Sequence, residues 1–151
     1  MIDWLGLILS CAPNVAPATM MPVMLVESKG HPYAIGVQGG RLTRQPKNEA
    51  EAIATAKNLL KLGYNFDAGA MQVNSANFAR TGLTVETAFQ PCRNLAAGAQ
   101  ILGHCFAKAP GQDGQQRLLA ALSCYNTGSF MRGVRNGYVA RVTGMARHLK
   151  R

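Results

Sequence analysis

The stretch Val23-Met24-Leu25-Val26-Glu27-Ser28 places a carboxylate directly after four apolar residues. Working outward from it, the pattern predicts a helix that begins near Asn14, a good N-cap, and ends at Ser28, with Gly30 as its stop signal. Pro22 lies inside this segment and cannot donate a backbone hydrogen bond, so we expect a kink or a later helix start. The stretch therefore predicts an apolar helix with an acid at its C-terminal end.

Glu27 stands apart from the other acids because they all have ordinary structural explanations. At the C-terminal end of a helix the dipole disfavours negative charge, and apolar neighbours disfavour ionisation. Both effects raise the pKa of Glu27, as a general acid working near neutrality requires. The alternative is a solvent-facing glutamate before a helix cap, and the residues alone leave both interpretations open. The other six acids are Asp3, Glu49, Glu51, Asp67, Glu86 and Asp113.

The rest of the chain predicts more helices and a small antiparallel sheet. Gly39-Gly40 suits a two-residue turn between strands at 34–38 and 41–45. Asn48, with Glu51 three residues later, opens an alanine-rich helix that ends at Gly63. The remaining predicted elements are an extended or looped stretch at 64–73, short helical pieces at 75–78 and 84–89, and helices at 92–108, 114–124 and 138–150. We therefore expect a mainly helical α+β fold in a single domain spanning residues 1–151.

Composition limits the kind of partner that the chain can bind. Of its 151 residues 48% are apolar and 15% are charged, and the net charge is +9, so the chain can bury a core. From Gly114 to the C-terminus there are seven Lys and Arg residues and no acid. Such a block favours a polyanion, which leaves nucleic acid, anionic lipid and acidic cell-wall polymer as candidates.

The four cysteines predict two disulfides in an oxidising compartment, with four buried free thiols as the alternative. Their spacing does not match a zinc site. Cys92 and Cys105 fall on one predicted helix about 20 Å apart, too far to be bridged. If that helix forms an antiparallel hairpin with the next, Cys124 returns near Cys92. We therefore expect a Cys92–Cys124 bond and a Cys11–Cys105 bond.

The N-terminus fits a secretory signal poorly. The apolar run from Ile2 to Leu9 contains an acid and lacks a basic segment before it, so we expect a mature form or another export route. No apolar run approaches the length of about 18 residues that a membrane span needs. An integral membrane protein is therefore not expected.

Three short segments occur together in a characteristic order. They are Val26-Glu27-Ser28, then Gly69-Ala70-Met71-Gln72-Val73, then Ser123-Cys124-Tyr125-Asn126-Thr127-Gly128. In this order and rough spacing they resemble the lytic transglycosylases, which carry E-S, G-L-M-Q-[IV] and [AS]-x-Y-N-[AT]-G. The segment Ala34-Ile35-Gly36-Val37 before Gly39-Gly40 resembles the branch of type IV secretion and conjugation machines. The similarity covers about residues 11–142.

The resemblance implies a lysozyme-like fold whose cleft binds the glycan of peptidoglycan. Glu27 matches the sole catalytic acid of the family, which protonates the glycosidic oxygen between N-acetylmuramic acid and N-acetylglucosamine. The same group then acts as base on the muramyl C6 hydroxyl, which attacks its own C1 and leaves a 1,6-anhydro end. This chemistry needs no metal, no cofactor and no second carboxylate.

The resemblance also implies roles for five neighbours of the acid. Ser28 matches the small polar residue that supports the acid and the sugar, and Met71 and Gln72 match the cleft wall. Tyr125 matches the hydroxyl that orients the carboxylate, and Asn126 matches a sugar contact. From the residues alone, Met71 is as readily a core residue as a residue of the cleft. The alternative for Tyr125 is a buried tyrosine whose hydroxyl has a hydrogen-bond partner elsewhere.

The sequence departs from the family pattern at Ala70, where a leucine is usual, and we expect this change to widen or loosen the cleft wall. Asp67 is the second acid near a site motif. Placed across the cleft it would activate water and make the protein a hydrolysing muramidase, whereas its neighbours Asn65, Phe66 and Gly69 favour a turn-forming aspartate.

Function classes other than an active enzyme of the cell wall are less favoured. A nucleic-acid-binding module would explain the basic block, but the chain contains no recognisable nucleic-acid motif. A structural subunit of an envelope machine would not need Glu27. We therefore expect an enzyme of the periplasm or cell envelope that acts on peptidoglycan strands beside secretion or conjugation machinery, without binding nucleic acid.

Overall fold

A computed structural model describes residues 1–150 of the chain, which form helices and a three-stranded sheet. Its mainly helical α+β architecture confirms the predicted fold class. In this described part no helix is both long enough and apolar enough to cross a bilayer. The elements are α1 (Trp4–Cys11), α2 (Pro17–Ser28), β1 (Ile35–Val37), α3 (Glu49–Lys61), β2 (Phe66–Ala68), β3 (Val73–Asn74), a 3-10 turn (Ser75–Asn77), α4 (Phe78–Thr81), α5 (Pro91–Lys108), α6 (Gly114–Thr127), α7 (Arg132–Arg135) and α8 (Tyr138–Leu149).

The core forms around α5, which packs against α1 and α6, while α2 packs against α8. Apolar side chains of these helices and of the sheet are removed from water together, which is the main favourable term in folding. The acid at the end of α2 is thereby carried on a helix whose preceding turns are buried. The largest fully buried side chains include Tyr138, Phe66, Phe89, Ile8, Met20, Met24, Met71, Leu95 and Leu102.

Helix α2 starts at Pro17, so the predicted cap at Asn14 is wrong, and its start is not late enough to move Pro22 out of the helix. Ala16 precedes the helix without a side-chain cap, and Pro17 occupies its first turn. The fixed φ of proline suits that position. Pro22 stays inside the helix and is buried, and the bond that it cannot make would have gone to the carbonyl of Ala18 in the first turn. The C-terminal end falls at Ser28, as predicted.

The sheet is antiparallel but pairs different segments from those predicted. β1 pairs with β2, with Ile35 opposite Ala68, and β2 pairs with β3. Residues 41–45 form no strand. The side chain of Gln45 instead makes the hydrogen bonds to Ile35 that a neighbouring strand would make. Its Oε1 accepts from the backbone N–H of Ile35 at 2.8 Å, and its Nε2 donates to the Ile35 carbonyl at 3.0 Å. The predicted hairpin around Gly39-Gly40 is therefore wrong.

Two further predictions at helix boundaries had different outcomes. Asn48 caps α3 by accepting from the backbone N–H of Glu51 at 2.9 Å, as predicted. Residues 84–89 form turns instead of the predicted short helix. Helix α1 was not predicted; Asp3 caps it by accepting from the N–H of Gly6 at 3.0 Å.

The structure contains two disulfides, but not with the predicted pairing. Cys11 bonds to Cys92 and Cys105 bonds to Cys124. The prediction assumed that α6 runs back along α5. Instead, Arg117 in the first turns of α6 donates to the Phe106 carbonyl at 2.9 Å, so both halves of α6 meet the same end of α5. Helix α6 therefore crosses the end of α5, which brings Cys124 to Cys105. Cys92, at the start of α5, is then far from α6 and bonds to Cys11 of α1.

Candidate active site

Glu27 lies at the C-terminal end of α2 and lines a cleft of about 370 Å³. Burial raises the pKa of Glu27 to about 7, and the nearby Asp67 carboxylate adds to the increase. A hydrogen bond from Tyr138 and the positive charge of Arg141 act in the opposite direction, with a smaller effect. The expected increase in the pKa of Glu27 is confirmed, and burial is its main cause.

Tyr138 holds the carboxylate of Glu27 in place. Its hydroxyl donates to Glu27 Oε2 at 2.9 Å, and its side chain is 2% exposed. Burial and the neighbouring Glu27 carboxylate raise the pKa of Tyr138 above its ordinary value, so the phenol stays protonated as a donor. Tyr138 is the first residue of α8, 111 residues from Glu27, so no local motif pointed to it.

Tyr125 makes no hydrogen bond to the Glu27 carboxylate, which the resemblance had implied that it orients. Its hydroxyl donates to the backbone carbonyl of Met71 at 2.6 Å, whereas the hydroxyl bonded to Glu27 belongs to Tyr138. The Met71 carbonyl is a buried acceptor that needs a donor, and Tyr125 supplies it. Tyr125 also lines the cleft, so it supports the cleft wall and borders the space that a ligand would occupy.

The turn at residues 69–72 forms one wall of the cleft. Gly69 has φ +79 and Gln72 has φ +51, a left-handed conformation that is uncommon for a residue with a side chain. The Gln72 amide nitrogen donates to the carbonyls of Gly69 and Ala34 at 2.9 and 3.0 Å. Gln72 lines the cleft, and both hydrogen bonds to these carbonyls use its amide nitrogen, so its amide oxygen is left without a partner among them.

Met71 and Ala70 lie behind this wall. Met71 is fully buried and Ala70 is 1% exposed. Ala70 does not itself line the cleft, because its side chain packs into the core. Ser28 joins the wall to the acid by donating from Oγ to the Ala70 carbonyl at 2.7 Å. Ser28 and Met71 thus fix the geometry around Glu27 through the backbone of the turn.

Asn94 supports the same turn from α5 and was missed by the sequence analysis. It is 1% exposed, and its Oδ1 accepts from the Met71 N–H at 2.7 Å. Its Nδ2 donates to the carbonyls of Ala68 and Ala88, both at 2.8 Å. A polar residue among the apolar positions of α5 was the available signal, since a buried amide must find partners.

Asp67 lies in strand β2 and lines the same cleft as Glu27, so the prediction of a turn-forming aspartate is wrong. Asn74 Nδ2 donates to one carboxylate oxygen at 2.9 Å, and Gln38 Nε2 donates to the other at 3.3 Å. Burial raises the pKa of Asp67, and these two amides partly offset the increase. The cleft therefore contains two carboxyl groups.

Asn126 is exposed on the rim of the cleft at the end of α6. Its Oδ1 accepts from Asn136 Nδ2 at 2.9 Å, which leaves its own amide N–H groups free to face the cleft. The structure thus brings Glu27, Gln72, Tyr125 and Asn126 to one cleft, with Ser28 and Met71 behind it.

Comparison with known proteins places this cleft in a family. Residues 8–142 match the family model described as "Transglycosylase SLT domain". The chain is 46% identical over 97% of its length to "Type IV secretion system protein virB1" of Brucella abortus and of Brucella suis. It is 39% identical over 92% of its length to "Protein virB1" of Agrobacterium fabrum.

The chain spans 65% of the length of the Brucella proteins and 57% of the Agrobacterium protein. No solved structure matches it. The family model covers most of the chain, including Glu27, the turn at 69–72 and the end of α6. The chain therefore belongs to the transglycosylase SLT domain family, and within that family it is similar to the virB1 proteins.

Proposed function

We propose that the chain is a peptidoglycan lytic transglycosylase and that Glu27 is its single catalytic acid and base. The observation that carries the proposal is the buried Glu27 carboxyl group, with a pKa of about 7, in an open cleft and hydrogen-bonded by Tyr138. A carboxyl group with this pKa holds a proton near neutrality and can release it to a leaving group.

In the proposed reaction the proton of Glu27 moves to the glycosidic oxygen as the bond from muramyl C1 to that oxygen breaks. The departing N-acetylglucosamine leaves with a free hydroxyl. The Glu27 carboxylate then takes the proton of the muramyl C6 hydroxyl while that oxygen bonds to C1. Glu27 ends protonated, as it began, and no water is consumed. Tyr138 stabilises the carboxylate during the interval in which it is charged.

A second candidate is hydrolysis, and the place of Asp67 in the cleft favours it, since an inverting glycosidase uses a second carboxylate to activate water. Two amides already bond the oxygens of Asp67. We assign Asp67 instead to holding the proton on Glu27 by charge repulsion. An Asp67→Asn enzyme then still makes anhydro products, and the alkaline side of its activity profile moves to lower pH.

The cellular role that we propose is local opening of the cell wall beside a type IV secretion or conjugation apparatus, in the periplasm or envelope. The name of the Brucella relatives supports this context. Two disulfides fit an oxidising compartment.

Digestion of purified peptidoglycan tests the proposed activity. We expect the wild-type protein to release muropeptides and Glu27→Gln, which keeps the shape of the side chain but cannot supply its proton, to lose at least about a hundredfold in rate. Arg93→Gln, a change on the exposed start of α5, serves as the control and should digest the wall normally. Equal release by Glu27→Gln and the wild-type protein would overturn the assignment of Glu27.

A further inference from the structure

The cleft has basic side chains on the wall that α4 and α5 form. Its two carboxyl groups come from α2 and β2, whereas Arg80 of α4 and His104 of α5 line it from the other elements. Neither basic residue has a part in the acid and base chemistry of Glu27 described above. Both are exposed, so a ligand in the cleft can reach them.

Hydrogen bonds hold Arg80 in place before any ligand arrives. Its Nε donates to Asn77 Oδ1 at 3.1 Å, and its backbone carbonyl accepts from Gln100 Nε2 at 3.1 Å. Gln100 and His104 are four residues apart on α5 and therefore share one face of that helix. The bond from Gln100 joins the face of α5 that carries His104 to the backbone of Arg80, and both side chains line the cleft.

Arg80 has no acidic partner among residues 1–150. The ion pairs of this part of the chain join Arg44 to Glu51 and Lys57 to Glu86. The cleft acids are engaged elsewhere, Glu27 by Tyr138 and Asp67 by Asn74 and Gln38. With Nε fixed by Asn77, the two terminal nitrogens of the guanidinium group remain for a ligand. A planar pair of N–H donors fits a carboxylate, which it binds through two parallel hydrogen bonds.

We propose that Arg80, with His104 on the same wall of the cleft, forms a subsite for a carboxylate carried by the muramyl residue of the glycan. This inference rests on the proposed function and specifies its substrate. The carboxylate belongs either to the peptide stem or, on strands without peptides, to the lactyl group itself. The protein would accordingly prefer muramyl-containing strands to a neutral glycan of the same length.

Binding measurements in the Glu27→Gln background test the subsite without cleavage of the ligand. Titration calorimetry would compare N-acetylglucosaminyl-N-acetylmuramyl tripeptide, the same disaccharide without peptide, and chitobiose, which has no carboxylate. We expect Arg80→Gln to weaken binding of the tripeptide ligand about five- to tenfold, the contribution of one charge-assisted contact near the surface. Arg80→Gln should leave chitobiose binding unchanged, and Arg93→Gln should affect no ligand.

The disaccharide without peptide identifies the source of the carboxylate. The lactyl carboxyl is amide-bonded in the tripeptide ligand, so an equal loss of affinity for both ligands means that the subsite accepts either carboxylate. If the affinity of the peptide-free disaccharide is unaffected, the subsite accepts only a carboxylate of the stem. Arg80→Lys keeps the charge but lacks the Nε donor to Asn77, and it should recover part of the lost affinity. An equal loss for chitobiose, or no loss for either carboxylate ligand, would overturn the subsite.

Cleavage assays separate this proposal from the one on which it rests. If the wild-type protein digests peptidoglycan and Arg80→Gln does so with an unchanged KM, the subsite is wrong and the activity stands. If the wild-type protein does not digest the wall, the proposed activity is wrong, and the binding comparison still decides whether Arg80 binds a carboxylate.

Discussion

Glu27 couples the stability of the protein to the chemistry that we propose for it. Its pKa rises from an ordinary value of 4.5 to about 7 because folding withdraws the carboxyl group from water. Between these two pH values the unfolded chain loses the proton and the folded chain keeps it, so folding becomes less favourable as pH rises. The destabilisation is complete above pH 7 and absent below pH 4.5.

Replacement of Glu27 by Gln should therefore stabilise the protein only at high pH. The shift corresponds to about 3 kcal/mol at 1.36 kcal/mol per pH unit, an upper bound for a partly buried group. We expect the free energy of unfolding, measured with urea, to be higher for Glu27→Gln than for the wild-type protein at pH 8 and similar at pH 4. A difference that does not vary with pH would contradict the burial of a protonated Glu27.

Tyr138 should set both the rate and the pH dependence of the reaction. Tyr138→Phe removes the hydroxyl that stabilises the Glu27 carboxylate, so the pKa of Glu27 rises further and the alkaline limit of activity moves to higher pH. The loss of one hydrogen bond to a charged group should lower kcat about ten- to hundredfold. A pH profile of peptidoglycan digestion checks both effects. An unchanged profile would show that Tyr138 has only a packing role.

At the scale of elements, the turn at residues 69–72 depends on Asn94. This side chain accepts from the Met71 N–H and donates to the carbonyls of Ala68 and Ala88. Asn94→Ala removes three hydrogen bonds to backbone groups and should lower the free energy of unfolding by about 3 kcal/mol or more. Asn94→Asp should be at least as harmful, because an acceptor then faces two carbonyls. Denaturation by urea measures both variants.

The two disulfides should contribute differently to stability and to activity. Cys11–Cys92 closes 81 residues and Cys105–Cys124 closes 19, which corresponds to about 4.5 and about 3 kcal/mol in the chain-entropy model. Only Cys105 and Cys124 line the cleft. We expect the serine pair at 11 and 92 to lose more stability, and the serine pair at 105 and 124 to lose more activity in wall digestion. The reverse order in either measurement would contradict this division.

At the scale of the whole molecule, local patterns predicted only part of the local structure. The Asn48 cap, the end of α2 at Ser28 and the direction of the pKa shift of Glu27 could each be predicted from residues within a few positions of one another, although burial in the folded chain is the main cause of that shift. Tyr138 could not be found in this way, because its contact with Glu27 exists only when α8 packs against α2. The place of Asp67 could not be found in this way either. Its neighbours in the sequence predicted a turn, whereas the pairing of β2 in the sheet puts it in the cleft.

Errors in pairing have a common physical origin. The crossing of α6 over the end of α5 decides that Cys124 meets Cys105, and a crossing angle depends on side-chain packing between helices that sequence spacing does not reveal. The strand partner of β1 likewise lies about 30 residues further along the chain in β2, while the nearer segment contributes only the amide of Gln45. The disulfide partner of Cys124 and the strand partner of β1 therefore both depend on long-range packing.

The whole molecule also explains how a chain with a net charge of +9 and seven acids would suit a wall polymer. Two of the acids lie in the cleft, and the chemistry that we propose needs only one of them, Glu27. Cations such as Arg80 therefore remain available to bind the carboxylates of the polymer. The positive charge thus fits an anionic glycan as well as it fits nucleic acid.

Mass spectrometry of the products from purified peptidoglycan tests the central claim most directly. If Glu27 serves as both acid and base, the wild-type protein releases muropeptides with 1,6-anhydro-muramyl ends, lighter by one water than hydrolysis products, and Glu27→Gln releases almost none. Muropeptides with reducing muramyl ends, formed by the wild-type protein and lost in Asp67→Asn, would contradict the account and identify the protein as a hydrolysing muramidase.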